Sequence, residues 1–313
     1  MKNVRENGLA LARRFWEHSR PILTAKIPDL MQTACAGLAG EGSECFGCDD
    51  AISEDHDYGP GFCLWWPART LAKDRIVIEE AMAELPAEFD GRPTRMRRNG
   101  RTGLMAIEDF YAFFTGLKKP PSTWNEWLNI PEEQLAAAVN GEIFMDGDGT
   151  FTHWRELLED YYPHDVRLYK LASACMRMGQ TGQYNLLRSL RRGEGTAAML
   201  AGARFAEAAL DFVYLINKRY KPFYKWAPRL ARHLPRLGAE TAHLLTVLAA
   251  HPLRDERDLG IAELIEDFCN KCAVFLNRQG LSTEQDSWLW SHGPAIMANV
   301  TNPEIRRLNL LKG

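Results

Sequence analysis

Long unbroken apolar runs are missing from this chain, and so is a large surplus of charge of either sign. The most apolar stretch, residues 197–216, is interrupted by Arg204, Glu207 and Asp211, so it lacks the roughly 20 apolar residues a membrane-spanning helix needs. Lysine and arginine total 38 against 41 aspartates and glutamates, a formal charge of −3. That balance excludes a general nucleic-acid coat role but leaves room for a local basic cleft. The opening residues, Met1-Lys2-Asn3-Val4-Arg5, lack the apolar core of a secretion signal, so a cytoplasmic location is expected. Repeats and low-complexity tracts are absent too. A disulfide framework is not expected either: 7 cysteines in 313 residues without a secretion signal point to free thiols. Two pairs, Cys45/Cys48 and Cys269/Cys272, have the Cys-x-x-Cys spacing of a zinc site. The second pair falls on a helical apolar pattern over 261–277, which favours buried helix positions over a metal site.

What is present is concentrated in residues 42–57. A Gly42-Ser43 turn follows a short apolar run, and eleven residues separate its serine from Asp55-His56-Asp57. Aspartates two apart on an extended segment share one face and can hold a hard cation such as Mg²⁺ through carboxylate oxygens. A Gly-Ser turn offers backbone N–H groups and a hydroxyl to a phosphate. His56 then points to the opposite face and reads as structural. Asp146-Gly147-Asp148-Gly149 starts like a calcium loop, but Phe151 and Leu157 stand where the turn glycine and the bidentate glutamate are needed, so it reads as a turn.

Along the chain, residues 5–18 carry an amphipathic helical pattern. Strands are expected over 33–39, 62–66 and 103–107, with a helix over 70–85 between Pro67 and Pro86. From about Trp124 helical periodicity dominates, over 131–139, 154–160, 165–178, 195–217, 241–250, 261–277 and 283–295. Pro120-Pro121-Ser122-Thr123 is the best boundary. The expected fold is α+β, with an α/β domain over 1–123 followed by an all-α helical bundle over 124–313.

The Gly-Ser, spacer, Asp-x-Asp arrangement resembles the DNA polymerase β-like nucleotidyltransferase superfamily. Four segments are similar to its DUF4037-type proteins: GSECFGCDDAISEDHDYGPG (42–61), YYP (161–163), MGQTGQYN (178–185) and LINKRYKPFYKW (215–226). The resemblance implies a minimal nucleotidyltransferase domain followed by a helical domain. It also implies nucleotide binding and transfer of NMP from an NTP to an acceptor hydroxyl or amine on a small molecule, an RNA end or a protein. Asp55 and Asp57 would bridge two Mg²⁺ ions, and Gly42 and Ser43 would hold the outer phosphates. A third carboxylate is expected from a later strand; Glu108 and Asp109 at the end of the 104–107 strand are the best candidates, with Asp90 behind them.

In the helical half, Lys218, Lys221, Tyr224, Lys225 and Trp226 form a basic, aromatic cluster around Pro222. Lys221 or Lys225 is expected to touch the triphosphate as a point charge. Gln180, Gln183, Tyr184 and Asn185 offer groups that read base or ribose hydrogen-bonding edges, with Tyr184 named for nucleotide contact. Plugged aromatics and solvated lysines would look the same in sequence. Arg188, Arg191 and Arg192 read as a solvated helix face. The competing functional reading is a nucleotide-binding sensor or scaffold without turnover.

Overall fold

The computed structural model describes residues 6–55, 58–96 and 101–312. Its two compact units divide between Asp160 and Tyr161, later than the change of character at 123/124. The reason lies in long-range strand pairing. The first unit carries helices α1 (Gly8–Lys26) and α2 (Pro28–Met31), then strands β1 (Cys35–Leu38) and β2 (Cys63–Trp66). Next come α3 (Ala68–Ala83), a short hairpin of β3 (Glu88–Phe89) and β4 (Arg92–Pro93), and β5 (Gly103–Ala106) with α4 (Ile107–Thr115). Helices α5 (Trp124–Asn129) and α6 (Glu132–Ala138), strand β6 (Glu142–Asp146) and α7 (Thr150–Glu159) complete it. Strand β6 pairs antiparallel with β1, and this draws residues 124–160 into the first unit.

The sheet runs β5-β2-β1-β6. Strand β2 is antiparallel to β1 and parallel to β5, with Cys63 opposite both Gly37 and Gly103. This register gathers the C-terminal end of β1 and the N-terminal ends of β2, β5 and β6 at one edge. Both faces of β2 are covered, as its continuous apolar run requires. Phe62, Leu64 and Trp66 pack with Phe15, Trp16 and Leu23 of α1 and Ile78 of α3. Trp65 faces the other way, its ring centroid 4.3 Å from Phe151 and 5.3 Å from Phe110. Strand β6, which local pattern does not announce, enters through Gly141, whose φ is +68°. A Cβ there would sit 2.0 Å from the Leu38 carbonyl oxygen, so only glycine admits the close crossing.

The second unit is helical. Helix α8 (His164–Met178) runs through a π-helical stretch, Gly179–Leu186, into α9 (Leu187–Arg191). Then follow α10 (Gly195–Ile216), α11 (Ala227–Ala231), α12 (Gly238–Ala250), α13 (Ile261–Arg278) and α14 (Leu289–Met297). Helix α8 packs on α10 and α14, and α13 packs on α12 and α14. The last helix starts later than its expected residue 283. Ser282 and Asp286 side chains instead accept from the N–H groups of Glu284 and Trp288, at 3.2 and 3.1 Å, holding that stretch in turns. No helix among the described residues is long and apolar enough to cross a membrane.

Candidate functional site

The gathered strand ends of the first unit open onto a small cleft of about 100 Å³. Leu38, Met105, Phe110 and Phe114 form its apolar floor, and Gly42, Glu44, Arg95 and Arg101 lie along its polar side. Phe113 stands at the cleft with its ring largely exposed. Beyond β1 the chain turns sharply at Gly40, whose N–H and carbonyl are both taken by the Asn140 amide, at 2.8 and 2.6 Å. Gly42 and Ser43 then lead into a 3₁₀ turn, Glu44–Phe46. The Glu44 side chain folds over Gly42 so closely that a Cβ at Gly42 would meet its carboxylate at 2.6 Å.

The Gly-Ser turn and the acidic segment are joined directly. The Ser43 hydroxyl donates to the Ser53 hydroxyl at 3.3 Å, two residues before Asp55. Asp50 caps that second segment, accepting from the N–H groups of Ile52 and Ser53 at 3.0 and 3.2 Å. Asp49 serves elsewhere, accepting from the Gly8 N–H at the start of α1 at 2.9 Å. Asp55 closes a 3₁₀ helix, Ala51–Asp55, which corrects the expectation of an extended backbone there. His56 and Asp57 lie outside the described residues, as does the side chain of Asp55. Tyr58 onward leads into the N-terminal end of β2.

Glu108 is not at that edge. The strand ends at Ala106 and the acidic pair falls in the first turn of α4, where the helix dipole favours it. Glu108 therefore lies beyond the C-terminal end of β5, a strand length of roughly 10 Å from the cleft edge. Its carboxylate accepts from the Ala68 N–H at 2.8 Å, satisfying the start of α3, whose N-cap Pro67 has no side chain to do so. Asp109 pairs with Lys118 at 2.8 Å and Asp90 with Arg14 at 2.7 Å. Strand β5 itself, Gly103–Ala106, bears no carboxylate.

The residues that local pattern failed to single out are Arg95, Arg101, Glu41 and Glu44. Arg95 and Glu44 are mostly buried and pair at 3.5 Å; Arg101 and Glu41 are half-exposed and 4.0 Å apart. Nothing in local spacing links residues 44 and 95. Only the pairing of β2 with β5 brings the segment before β5 beside the Gly-Ser turn.

All seven cysteines are buried and none is in a disulfide. Burial pushes the Cys45 thiol well above its usual range, with Glu44 adding to the effect. Burial likewise raises Cys63 to about 12. Among the described residues no three His, Cys, Asp or Glu side chains group as a metal site. Cys269 and Cys272 occupy the buried face of α13, as their spacing predicts. Asp146 ends β6 and accepts from the Thr152 N–H at 2.7 Å, starting α7 rather than a calcium loop.

Of the nucleotide contacts expected in the second unit, Lys221 is engaged by a carboxylate, while Lys225 and Tyr184 keep exposed surface. Lys221 and Arg177 both pair with the buried Asp211, the arginine at 2.8 Å. Residues 217–226 leave the helix at Ile216, with Lys218 at φ +50°, so this cluster sits on irregular backbone. Lys225 is exposed, its ammonium 4.7 Å from the Trp226 ring centroid. Tyr184 is about half exposed under the Arg188 guanidinium, 4.7 Å from its ring centroid. Gln183 is buried and spent: its amide donates to Glu266 and the Ser287 carbonyl and accepts from the Leu289 N–H, at 2.7, 2.9 and 3.0 Å.

No curated protein and no solved structure matches the chain. Residues 127–227 match the model of the DUF4037 family, described as a domain of unknown function. That stretch runs from α5 to the start of α11 and so includes Tyr184, Lys221 and Lys225, while the Gly42–Ser43 turn and the cleft arginines lie before it.

Proposed function

We propose that the first unit binds the triphosphate of a nucleoside triphosphate with Mg²⁺ and transfers the nucleotidyl group to an acceptor hydroxyl or amine. One observation carries this reading: the Gly42–Ser43 turn and the segment ending in Asp55 are bonded through Ser43 and Ser53 at the sheet edge where β1 ends and β2 begins. Backbone N–H groups and the Ser43 hydroxyl suit the outer phosphates. Asp55 and Asp57 would hold the metal, and oxygen donors beside thiols kept protonated by burial suit a hard cation. Bound there, Mg²⁺ would neutralise charge on the attacking and leaving oxygens. The acceptor gives up its O–H or N–H proton to solvent as its oxygen or nitrogen bonds to the α-phosphorus, the bond from that phosphorus to the α–β bridging oxygen breaks, and pyrophosphate leaves. Phe110 and Phe114 give the cleft beside that turn an apolar floor.

A second reading, binding without transfer, is favoured by a specific feature. Strand β5 bears no carboxylate, Glu108 caps α3, and the cleft carboxylates Glu41 and Glu44 each face an arginine. Transfer of label from α-labelled ATP, CTP, GTP and UTP to fractionated cell extract separates the two. Label entering an acceptor fraction with the wild-type protein, and not with Asp55→Ala/Asp57→Ala, is expected for the transferase. Binding without label transfer would establish the second reading. Loss of both would overturn the site.

A further inference from the structure

We propose that Arg95 is a positioning residue, a latch that fixes the Gly-Ser turn and the chain leaving the acidic segment in one arrangement. This rests on the nucleotide reading for its functional consequence, though not for its geometry. Four contacts converge on this one residue. Its N–H donates to the Pro60 carbonyl at 2.8 Å, and its carbonyl accepts from the Thr102 hydroxyl. Its Nε–H donates to the Gly59 carbonyl at 3.0 Å, and its guanidinium reaches the Glu44 carboxylate at 3.5 Å. Glu44 directly follows Ser43, and Gly59 stands two residues after Asp57. One side chain thus bridges the two segments that the proposed site needs in register.

The bridge is sheltered. The side chains of Arg95 and Glu44 are 11% and 14% exposed, so water screens their attraction less than it would a surface pair. Glu44 in turn covers Gly42, and Gly61 leaves room for the Arg95 stem, whose Cβ would lie 3.1 Å from a Cβ at that glycine. A planar guanidinium can serve a carbonyl and a carboxylate at once; an ammonium donates from a single point. Removing the arginine frees both segments at once, and Cys45, buried in the turn beside Glu44, becomes reachable.

The experiment compares Arg95→Ala, Arg95→Lys and the control Arg75→Ala, whose arginine pairs with Glu79 on the surface of α3. Two quantities are read on folded protein well below its melting temperature. The first is the rate at which a thiol reagent labels Cys45, located by peptide mass spectrometry. The second is the Mg²⁺ concentration that half-saturates ATP binding. Labelling is expected to rise roughly tenfold in Arg95→Ala, the equivalent of one charge-assisted hydrogen bond, with half-saturating Mg²⁺ rising by a similar factor. Arg95→Lys should recover the melting temperature while leaving Mg²⁺ dependence weakened, which a purely structural role would not produce. If Arg95→Ala does not fold, Glu44→Gln replaces it, with a smaller rise expected in both. Unchanged labelling in a folded variant overturns the latch. If the wild-type protein binds no nucleotide, the function proposed above falls, and Cys45 labelling alone decides the latch.

Discussion

The two units use sheltered charge differently. In the first, the Arg95–Glu44 pair joins stretches of irregular backbone, and Arg95 spends further donors on the carbonyls of Gly59 and Pro60. In the second, Arg177 and Lys221 converge on Asp211 of α10, and the Arg177 Nε–H finds no partner among the described residues. Helices satisfy their own backbone except at their ends, so the Asp211 cluster joins side chains, while Arg167 of α8 reaches main chain at the Leu215 carbonyl in the last turn of α10, at 3.0 Å. Turns have no such ladder, and an arginine there decides where the main chain goes. The first arrangement orders turns; the second ties helices together.

Core packing should give the largest effect and set the scale for both units. Trp65→Ala removes the ring packed against Phe110 and Phe151 and should cost about 4 kcal/mol in urea unfolding. Next comes Asp211→Asn, which leaves Arg177 and Lys221 facing each other and should cost about 3 kcal/mol by the same measurement. A loss under about 1 kcal/mol would mean the triad is solvated and the contrast between the units is weaker than drawn. Asn140→Ala deletes both bonds to Gly40 and should cost about 1.5 kcal/mol, read as a lowered urea midpoint.

Acid should sharpen the comparison through Asp165 of α8. Partial burial pushes its carboxyl up, but the Asn302 N–H and the Thr301 hydroxyl and N–H outweigh burial and leave it lowered. The stability it contributes is present above the ordinary Asp value of about 4 and is lost as pH falls through the lowered folded value. Melting temperature against pH should therefore fall less steeply on the acid side in Asp165→Asn than in wild type. An identical acid limb would remove Asp165 as the cause. The smallest effect belongs to Arg188→Ala, which strips a cation from an exposed tyrosine and should shift stability by less than about 0.5 kcal/mol.

Much of the second unit was legible because helical periodicity is local. The expected helices at 165–178, 195–217 and 261–277 fall within a residue of α8, α10 and α13 at each end. The first unit was legible in its strands at 62–66 and 103–107 but not in β6, whose three apolar residues are only half-buried and whose partner lies a hundred residues away. The candidate site divides the same way. Gly42, Ser43 and the acidic segment announce themselves by residue type and spacing. Arg95 and Arg101 do not, because an arginine before a strand reads as a solvated charge until the sheet is assembled. Glu108 was misplaced by strand direction: β5 runs parallel to β2 and brings its N-terminal end to the cleft edge, whereas Glu108 follows its C-terminal end in the first turn of α4 and accepts from the Ala68 N–H.

By itself the sequence determined an α+β chain with an α/β start and a helical second half, since periodicity is a property of short segments, and its residue chemistry at 42–57 is what the proposed phosphate and metal site is drawn from. Tertiary structure alone decided that residues 124–160 join the first unit through β6, that Glu108 caps a helix away from the cleft, and that Lys221 serves Asp211. It also decided that Arg95 spans Glu44 and Gly59. Each of these depends on which distant segments meet, and strand register, rather than any local preference, sets that meeting.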